Sequence, residues 1–200
     1  MRILYLHGFA SGPASKKAAF FKQRIPSLEI PDLADGDFEH LTVTAQLEKI
    51  NKTVGDETVS LVGSSMGGYL AALYAAEHAN VAKVVLLAPA FGFARRWSEA
   101  PEANEWRKTG VLNVYHCGDK RTRQLGYQLL EDGLRYDDFP EFEQPALIFH
   151  GIHDAVVPAR TSADFAATHP NTKLHLLDSD HELLNVLESI WQQSRRFLLG

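Results

Sequence analysis

Short apolar runs alternate along the chain with longer segments whose apolar residues recur every three or four positions. Unbroken apolar runs of four to six residues predict strands buried on both faces, and the longer spacing predicts helices with one apolar face. The predicted strands cover residues 3–6, 28–30, 58–62, 84–87, 146–149 and 173–177. The predicted helices cover residues 15–24, 42–52, 66–78, 159–168 and 182–197.

Strands that alternate with helices indicate βαβ units, whose right-handed crossovers produce a mostly parallel sheet with helices on both faces. Local signals agree with these elements, since Ser15 is a suitable N-cap for the first helix and Pro26 a suitable stop. The pattern therefore predicts a three-layer α/β fold with a six-stranded, mostly parallel sheet. A length of 200 residues suits one domain, here residues 1–200.

Residues 91–143 interrupt the alternation between the fourth and fifth predicted strands. The segment is too long for a plain loop, and residues 122–130 have helical spacing. We predict a helical insertion, which would cap a ligand site because such sites lie beyond the carboxyl ends of parallel strands. The alternative is a helical excursion against the side of the sheet. The aromatic residues of the segment include Trp97, Trp106, Tyr115, Tyr127 and Tyr136.

Charge and composition exclude several classes of protein. The formal net charge is −5 with mixed signs, which argues against a nucleic-acid interface. No apolar stretch approaches the ~20 residues of a membrane span. The chain runs from Met1 directly into a predicted strand, so we expect no signal peptide. The single cysteine, Cys117, cannot form an internal disulfide, and a cytoplasmic location is predicted. The oligomeric state is left open.

Residues 63–67, Gly-Ser-Ser-Met-Gly, fit the pattern G-x-S-x-G between a predicted strand and a predicted helix. In such a turn the central residue is strained, and glycines two positions away let strand and helix pass closely. The pattern is centred on Ser65, so Ser65 is the candidate nucleophile and Ser64 belongs to the strand. Roughly one chain of this size in fifteen matches by chance, given the usual abundance of Gly and Ser. A glycine-rich turn without chemistry is the alternative.

Two later loops supply the partners that a serine nucleophile needs. Asp154 follows the fifth predicted strand and His181 follows the sixth. The order serine, acid, histidine is the one found in α/β-hydrolase triads, and these loops lie at the same sheet edge as Ser65. We therefore predict Ser65, Asp154 and His181 as the catalytic residues. Asp178 and Asp180 are the alternative acids.

An oxyanion site requires N–H donors close to the nucleophile. The backbone amides of Phe9, after the first strand, and of Met66, after the nucleophile, are the candidates. The positive end of the helix that begins at Met66 adds to them. Ser11 either contributes a hydroxyl or stabilises the turn, and the turn is favoured.

Other polar residues of the chain do not predict a second site. The nine histidines include no metal-ligand motif, so neither a metal nor a cofactor is expected. His7 and His150 are predicted to bond nearby backbone, and the role of His153 is left open. The basic residues of the insertion, Arg95 and Arg96 among them, are balanced by acidic ones. A solvated surface is therefore favoured over a site for an anionic substrate such as an acyl-CoA.

Four stretches, LYLHGF, GSSMGG, HGIHDAVVP and DSDHELL, resemble the patterns of the α/β-hydrolase superfamily across nearly the whole chain. More closely, the chain is similar to the small bacterial YqiA-like esterases. This resemblance implies a compact version of the fold with strand order 2-1-3-4-5-6. It also implies activity on short acyl esters through Ser65, Asp154 and His181. The insertion is longer than a minimal esterase needs, which points to a particular natural substrate.

The predicted function is that of a serine hydrolase that cleaves a carboxylic ester of a small or short-acyl substrate. Its partner would be this small-molecule ester. A thioesterase or acyltransferase, and a C–C hydrolase or lyase, would use the same three residues. A protein on this fold that binds a ligand without turnover is the alternative from another class.

Overall fold

The computed structural model describes residues 2–200, and Met1, where the predicted domain begins, lies outside them. The strands are β1 Arg2–Leu6, β2 Val59–Ser64, β3 Val81–Leu87, β4 Val111–His116, β5 Arg121–Gly126, β6 Ala146–Gly151 and β7 Thr172–Leu177. The helices are α1 Lys16–Arg24, α2 Val43–Val54, α3 Met66–Glu77, α4 Phe93–Ser98, α5 Pro101–Thr109, α6 Gln128–Gly133, α7 Ala159–Thr168 and α8 Leu187–Leu199.

The centre of the fold is a five-stranded parallel sheet with strand order β1-β2-β3-β6-β7. Leu6, Gly63, Leu86 and Ile148 pair in one row across four of these strands, so the carboxyl ends of the strands form a common edge. The loops that leave β1, β2, β6 and β7 at this edge carry the predicted site residues.

Helices cover both faces of the sheet, and the inner strands β2 and β6 are buried along their whole length. One apolar cluster joins strand residues such as Tyr5 and Phe149 to Phe21 of α1 and Ile190 of α8. The other cluster joins the opposite face to helices α2, α3 and α7, with Leu70 and Phe165 fully buried. The predicted three-layer α/β architecture is confirmed.

The predicted strand at residues 28–30 is reduced to a single bridge. Glu29 pairs with Leu4 alone, through bonds from Tyr5 N to Glu29 O (2.8 Å) and from Glu29 N to Ile3 O (3.0 Å). Pro26 and Pro31 flank this segment, and proline has no N–H with which to extend the ladder. The six-stranded sheet is therefore corrected to five strands. The insertion therefore follows the third strand of the sheet, not the fourth. The strand order 2-1-3-4-5-6 implied by the resemblance holds if the bridge at Glu29 is counted as the strand beside β1.

The insertion was predicted to be helical, and this prediction is wrong in part. An antiparallel hairpin lies between α5 and α6. Strands β4 and β5 pair from Val111–Gly126 to His116–Arg121. The helical spacing at residues 122–130 is therefore misleading, because its first half belongs to β5 and α6 begins at Gln128. The hairpin packs over the loops after β1, with bonds from Cys117 N to Ala10 O (2.7 Å) and from Gly126 N to Glu39 O (2.8 Å).

The predicted helices are all present, and the first has Ser15 as its N-cap. The last one starts later than predicted. Leu183 has a φ of 57°, and a 3₁₀ turn at Leu184–Val186 precedes α8. The residues between β7 and α8 thus remain a loop, which His181 needs if it is to reach the sheet edge.

Candidate active site

Ser65 occupies a tight turn between β2 and α3. Its φ of 54° and ψ of −117° are strained for a residue with a side chain. A Cβ built on Gly63 would overlap the backbone of Gly67 and Gly68, and one built on Gly67 would overlap the carbonyl oxygens of Leu6 and His7. The first overlap is the predicted approach of strand and helix. The second shows that Gly67 instead lets α3 approach the end of β1.

The backbone of Ser65 is held by the neighbouring strand. Ser65 N donates to Leu87 O at 2.8 Å, and Ser65 O accepts from Ala90 N at 3.0 Å and from Gly68 N at 2.9 Å. Leu87 ends β3 and Ala90 lies just beyond it. These bonds stabilise the strained turn and fix where the Ser65 hydroxyl points.

The structure brings Ser65, His181 and Asp154 into one hydrogen-bonded chain. Ser65 Oγ lies 3.0 Å from His181 Nε2, and His181 Nδ1 lies 2.7 Å from Asp154 Oδ2. Asp154 is an acceptor, so Nδ1 carries a proton; in the neutral imidazole Nε2 then accepts from the Ser65 hydroxyl. A serine bonded to a base that a carboxylate orients is the arrangement that activates a hydroxyl.

The rival acids lie elsewhere. The side chain of Asp178 is 90% exposed and contacts His153, with Oδ1 and Nε2 2.9 Å apart. Asp180 Oδ1 accepts from the backbone amides of Glu182 (3.0 Å) and Leu183 (3.3 Å), so it shapes the loop that carries His181. Of the three acids, Asp154 is the one that contacts His181.

Asp154 is fully buried and accepts hydrogen bonds on both oxygens. Oδ1 accepts from the amides of Val156 (2.8 Å) and Val157 (2.7 Å), while Oδ2 faces His181. Burial by itself would raise the pKa of Asp154, but these bonds and the nearby His181 lower it below its usual value. The carboxyl group is therefore ionised at neutral pH although it is out of contact with water.

A second histidine, His150, lies behind Asp154 and is fully buried. Its Nε2 lies 3.1 Å from Asp154 Oδ2 and 3.0 Å from Val157 O, and its Nδ1 lies 2.7 Å from Ser162 Oγ. Both groups near Nε2 are acceptors, so Nε2 carries the proton and Nδ1 accepts from Ser162. The predicted bond to backbone is present, but the sequence did not predict the bond to Asp154.

We expect the buried histidine to make stability depend on pH. Burial lowers the pKa of His150 below its ordinary value of about 6.5, in spite of its bonds to Val157 and Asp154. The unfolded chain then binds more protons than the folded one, so the free energy of unfolding falls as pH drops below about 6.5. Each such proton contributes up to ~1.4 kcal/mol per pH unit. Urea unfolding at several pH values between 7.5 and 5 measures this slope.

The variant His150→Gln should flatten that slope, because glutamine keeps an N–H donor but does not titrate. His40→Gln is the control for loss of an exposed histidine, since the His40 side chain is 70% exposed; the change of slope beyond that of this control is assigned to His150. Equal slopes in wild type and His150→Gln would contradict the assignment of His150 as a neutral donor. His7 is also buried with a lowered pKa, so a residual slope is expected.

The predicted oxyanion donors lie beside the nucleophile. A Cβ on Gly8 would lie 3.4 Å from Ser65 Cβ, so the loop that carries Phe9 passes directly along Ser65. Among residues 2–200, neither Phe9 N nor Met66 N donates a hydrogen bond to another residue. Met66 is the first residue of α3, where an N–H has no partner within the helix. Two unused donors next to the hydroxyl can receive a negative oxygen.

The remaining polar residues of the β1 and β6 loops stabilise turns or face solvent. Ser11 Oγ donates to Gly8 O at 3.0 Å, as the turn interpretation predicts. His7 bonds backbone, since its Nε2 accepts from Leu33 N at 3.3 Å. His153, which the sequence left open, is 65% exposed and pairs only with Asp178.

Lys17 holds the histidine loop in place and was not predicted from the sequence. Its Nζ donates to Glu182 O at 3.0 Å and lies 3.3 Å from Glu182 Oε2, and only 9% of its side chain is exposed. Lys17 belongs to α1, so this contact fixes the residue after His181 to the helical layer beneath it. The apolar spacing of α1 includes no signal for such a role.

An apolar pocket of about 190 Å³ lies between the insertion and the loop after β1. The ring of Phe9 meets the ring of Trp97 edge to face, with centroids 5.1 Å apart. Trp106 is an anchor of the insertion, because its Nε1 donates to Leu125 O at 3.0 Å. The pocket thus shares Phe9 with the predicted oxyanion site. It is lined by Phe9, Trp97, Ala100, Glu102, Ala103, Trp106 and Leu112.

Within residues 2–200, no three or more His, Cys, Asp or Glu side chains are grouped so that they could hold a metal ion. No helix in the same range has the length and hydropathy needed to cross a membrane.

Solved structures with the same architecture define the fold as that of the α/β hydrolases. Mouse alpha/beta hydrolase domain-containing protein 10 superposes with a TM-score of 0.82 at 18% identity, over 98% of this chain and 88% of that one. A putative hydrolase from Agrobacterium vitis S4 gives 0.83 at 24% identity, over 98% and 87%. Est1E from Butyrivibrio proteoclasticus with bound ferulic acid gives 0.81 at 19% identity, over 98% and 87%. The predicted superfamily resemblance is confirmed.

Within this class the chain belongs to the uncharacterised protein family UPF0227, whose family model matches residues 2–197. No curated protein matches the sequence significantly.

Proposed function

We propose that the protein is a serine hydrolase that cleaves a carboxylic ester through an acyl-enzyme. The observation that carries this proposal is the hydrogen-bonded chain from Ser65 Oγ through His181 to Asp154, next to the unused amides of Phe9 and Met66. The α/β-hydrolase fold supports the proposal as a scaffold that hosts such chemistry, and the residues of the site supply the chemistry itself.

In the first half-reaction, Ser65 Oγ attacks the ester carbonyl carbon while His181 Nε2 takes the hydroxyl proton. Asp154 holds His181 with its protonated Nδ1 towards the carboxylate and stabilises the imidazolium. The amides of Phe9 and Met66 bind the negative oxygen of the tetrahedral intermediate. His181 then gives its proton to the leaving alkoxide as the C–O bond breaks.

In the second half-reaction, water attacks the acyl group on Ser65. His181 takes a proton from this water and returns it to Ser65 Oγ as the carboxylic acid leaves, which restores the starting state. These two half-reactions require only the residues named and water, so we propose no metal and no cofactor.

We assign the apolar pocket at Trp97 to the uncharged part of the ester. A pocket of about 190 Å³ suits a short acyl chain or a single ring, in agreement with the short-acyl substrate predicted from the sequence. The insertion serves as a cap in this proposal, because it forms one wall of the pocket while Phe9 forms the other. Thioester or C–C bond cleavage would use the same residues, and substrate panels of those classes distinguish them.

An active-site probe tests the proposal without knowledge of the natural substrate. We expect a fluorophosphonate to add once to the wild-type protein, because Ser65 is partly exposed and bonded to His181. Intact-protein mass spectrometry detects the adduct, and peptide mapping should place it on Ser65. A panel of 4-nitrophenyl esters from acetate to octanoate then measures the acyl preference.

A serine hydrolase known to react with the fluorophosphonate is the positive control, and it shows that the probe is active under the same conditions. A wild-type protein that neither takes up the probe nor hydrolyses 4-nitrophenyl acetate would overturn the proposed function in favour of ligand binding without turnover.

A further inference from the structure

Helix α4 of the insertion lies close to both sides of the candidate site. Trp97 on this helix contacts Phe9, the predicted oxyanion residue. Its neighbour, Arg96, turns towards the other side, where Nη1 donates to the carbonyl oxygen of Phe91. Phe91 directly follows Ala90, whose amide bonds Ser65 O at 3.0 Å. The Arg96 guanidinium is thus tied to the segment that holds the nucleophile.

Arg96 has no carboxylate partner among residues 2–200, although an acidic side chain is close by. Asp138 pairs instead with Arg95, with Oδ2 2.5 Å from Arg95 Nε. Arg95 is mostly exposed, whereas Arg96 is partly buried, and within residues 2–200 the Arg96 guanidinium makes one hydrogen bond, to Phe91 O. The balance of charges predicted for the insertion therefore holds for Arg95 and fails for Arg96.

The Arg96 guanidinium is partly buried, and most of its N–H donors have no partner among residues 2–200. A guanidinium has five N–H donors, and Phe91 O occupies one of them. Burial lowers the pKa of Arg96, and the negative charges of Asp138 and Asp154 oppose this shift. The geometric link to the site is the bond to Phe91 O, one residue from the Ala90 amide that bonds Ser65 O. A partly desolvated cation without an ion-pair partner favours an anionic ligand.

We propose that Arg96 binds a carboxylate group carried by the ester substrate, so that the preferred substrates are anionic esters. This inference rests on the proposed function. The planar guanidinium fork matches a carboxylate in shape, and its single charge balances the single charge of that group. Trp97, one residue along α4, directs the uncharged arm of the ester into the apolar pocket. The pocket includes Glu102, which disfavours an anion there.

Matched ester pairs test the inference, one pair for each arm of the substrate. On the acyl side, the mono-4-nitrophenyl ester of adipic acid is compared with its terminal amide. On the alcohol side, 4-acetoxybenzoate is compared with 4-acetoxybenzamide. The measured quantity is the ratio of kcat/KM for the carboxylate over that for the amide, after subtraction of the rate with Ser65→Ala. The pair that responds shows which arm carries the anion.

We expect a ratio of about 10 to 100 for one pair in the wild-type protein, which is the range for a hydrogen-bonded charge pair. Arg96→Gln should lower the ratio to about one, and Arg96→Lys should give an intermediate value because the fork is lost and the charge is kept. Arg121→Gln, the same change at a mostly exposed arginine of β5 in the insertion, should leave the ratio unchanged. Thermal unfolding of each variant checks that it is folded.

A wild-type ratio near one for both pairs would overturn the inference while hydrolysis of the esters left the proposed function standing. An equal fall of the ratio in Arg121→Gln and Arg96→Gln would also overturn it, since the net positive charge of the insertion and not Arg96 itself would then be responsible. No hydrolysis of any ester, with no probe adduct on Ser65, would overturn the proposed function and this inference together.

Discussion

Ser65→Ala is expected to lower kcat/KM for a 4-nitrophenyl ester by about 10⁴- to 10⁶-fold. The substitution removes the hydroxyl that lies 3.0 Å from His181 Nε2, and with it the proposed acyl-enzyme. The predicted oxyanion donors, the amides of Phe9 and Met66, stay in place, so a small residual rate above that of water should remain. Initial-rate kinetics with the most reactive ester of the panel measures the loss, and the same variant should take up no fluorophosphonate.

Ser64→Ala is the matched control, because it makes the same change one residue earlier in the elbow. Ser64 ends β2 and is 2% exposed, so its hydroxyl cannot reach a substrate. We expect its activity to stay within about tenfold of wild type, a margin that allows ~1 kcal/mol for a lost buried hydrogen bond. If Ser65→Ala retained activity comparable to that of Ser64→Ala, Ser65 would not be the nucleophile.

Asp154→Asn is expected to lower kcat by about 10⁴-fold. The amides of Val156 and Val157 donate to Oδ1, so the asparagine oxygen should take that place and its NH₂ should replace Oδ2. The NH₂ would then face the protonated Nδ1 of His181, and two donors would oppose each other. His181 relieves this conflict by moving its proton to Nε2, where it can no longer accept from Ser65. Kinetics at saturating substrate measures the loss.

Asp178→Asn is the control for this change, because the Asp178 side chain is exposed and, within residues 2–200, bonds His153 alone. Its activity should remain within about twofold of wild type, as is usual for a surface substitution. Far-UV circular dichroism should show both variants folded. A loss below tenfold in folded Asp154→Asn would mean that another group orients His181.

The elements that the sequence predicted well are those whose apolar pattern is determined by their own residues. Strand β2 and helix α3 are buried along nearly their whole length, so an unbroken apolar run and an alanine-rich run indicated them directly. The hairpin is different. Strand β5, with the sequence RTRQLG, is mostly polar, and it is a strand because it pairs with β4. Pairing between segments outweighs local propensity here, and a pattern within one segment does not record it.

The same distinction applies to the site. Ser65, Asp154 and His181 were predictable because each follows a recognisable strand and the strand ends share an edge. The bond from His150 to Asp154 depends on how the loop at residues 151–153 folds back. The different environments of Arg95 and Arg96 depend on the phase of α4 and on where Asp138 returns, far along the chain. Neither feature has a signature in the sequence of its own segment.

The insertion leaves and rejoins the sheet at one point, where Gly92 N donates to Asp138 O at 3.1 Å. The two ends of the segment between Gly92 and Asp138 are close together in space. A segment of another length could therefore replace it without separating β3 from β6. Ser65, Asp154 and His181 lie outside this segment, and Arg96 and Trp97 lie inside it. In the proposed function, the residues that break the bond and most of those that select the substrate therefore lie in separate stretches of the chain. Transplanting the segment between relatives would be a direct way to change the choice of molecule alone.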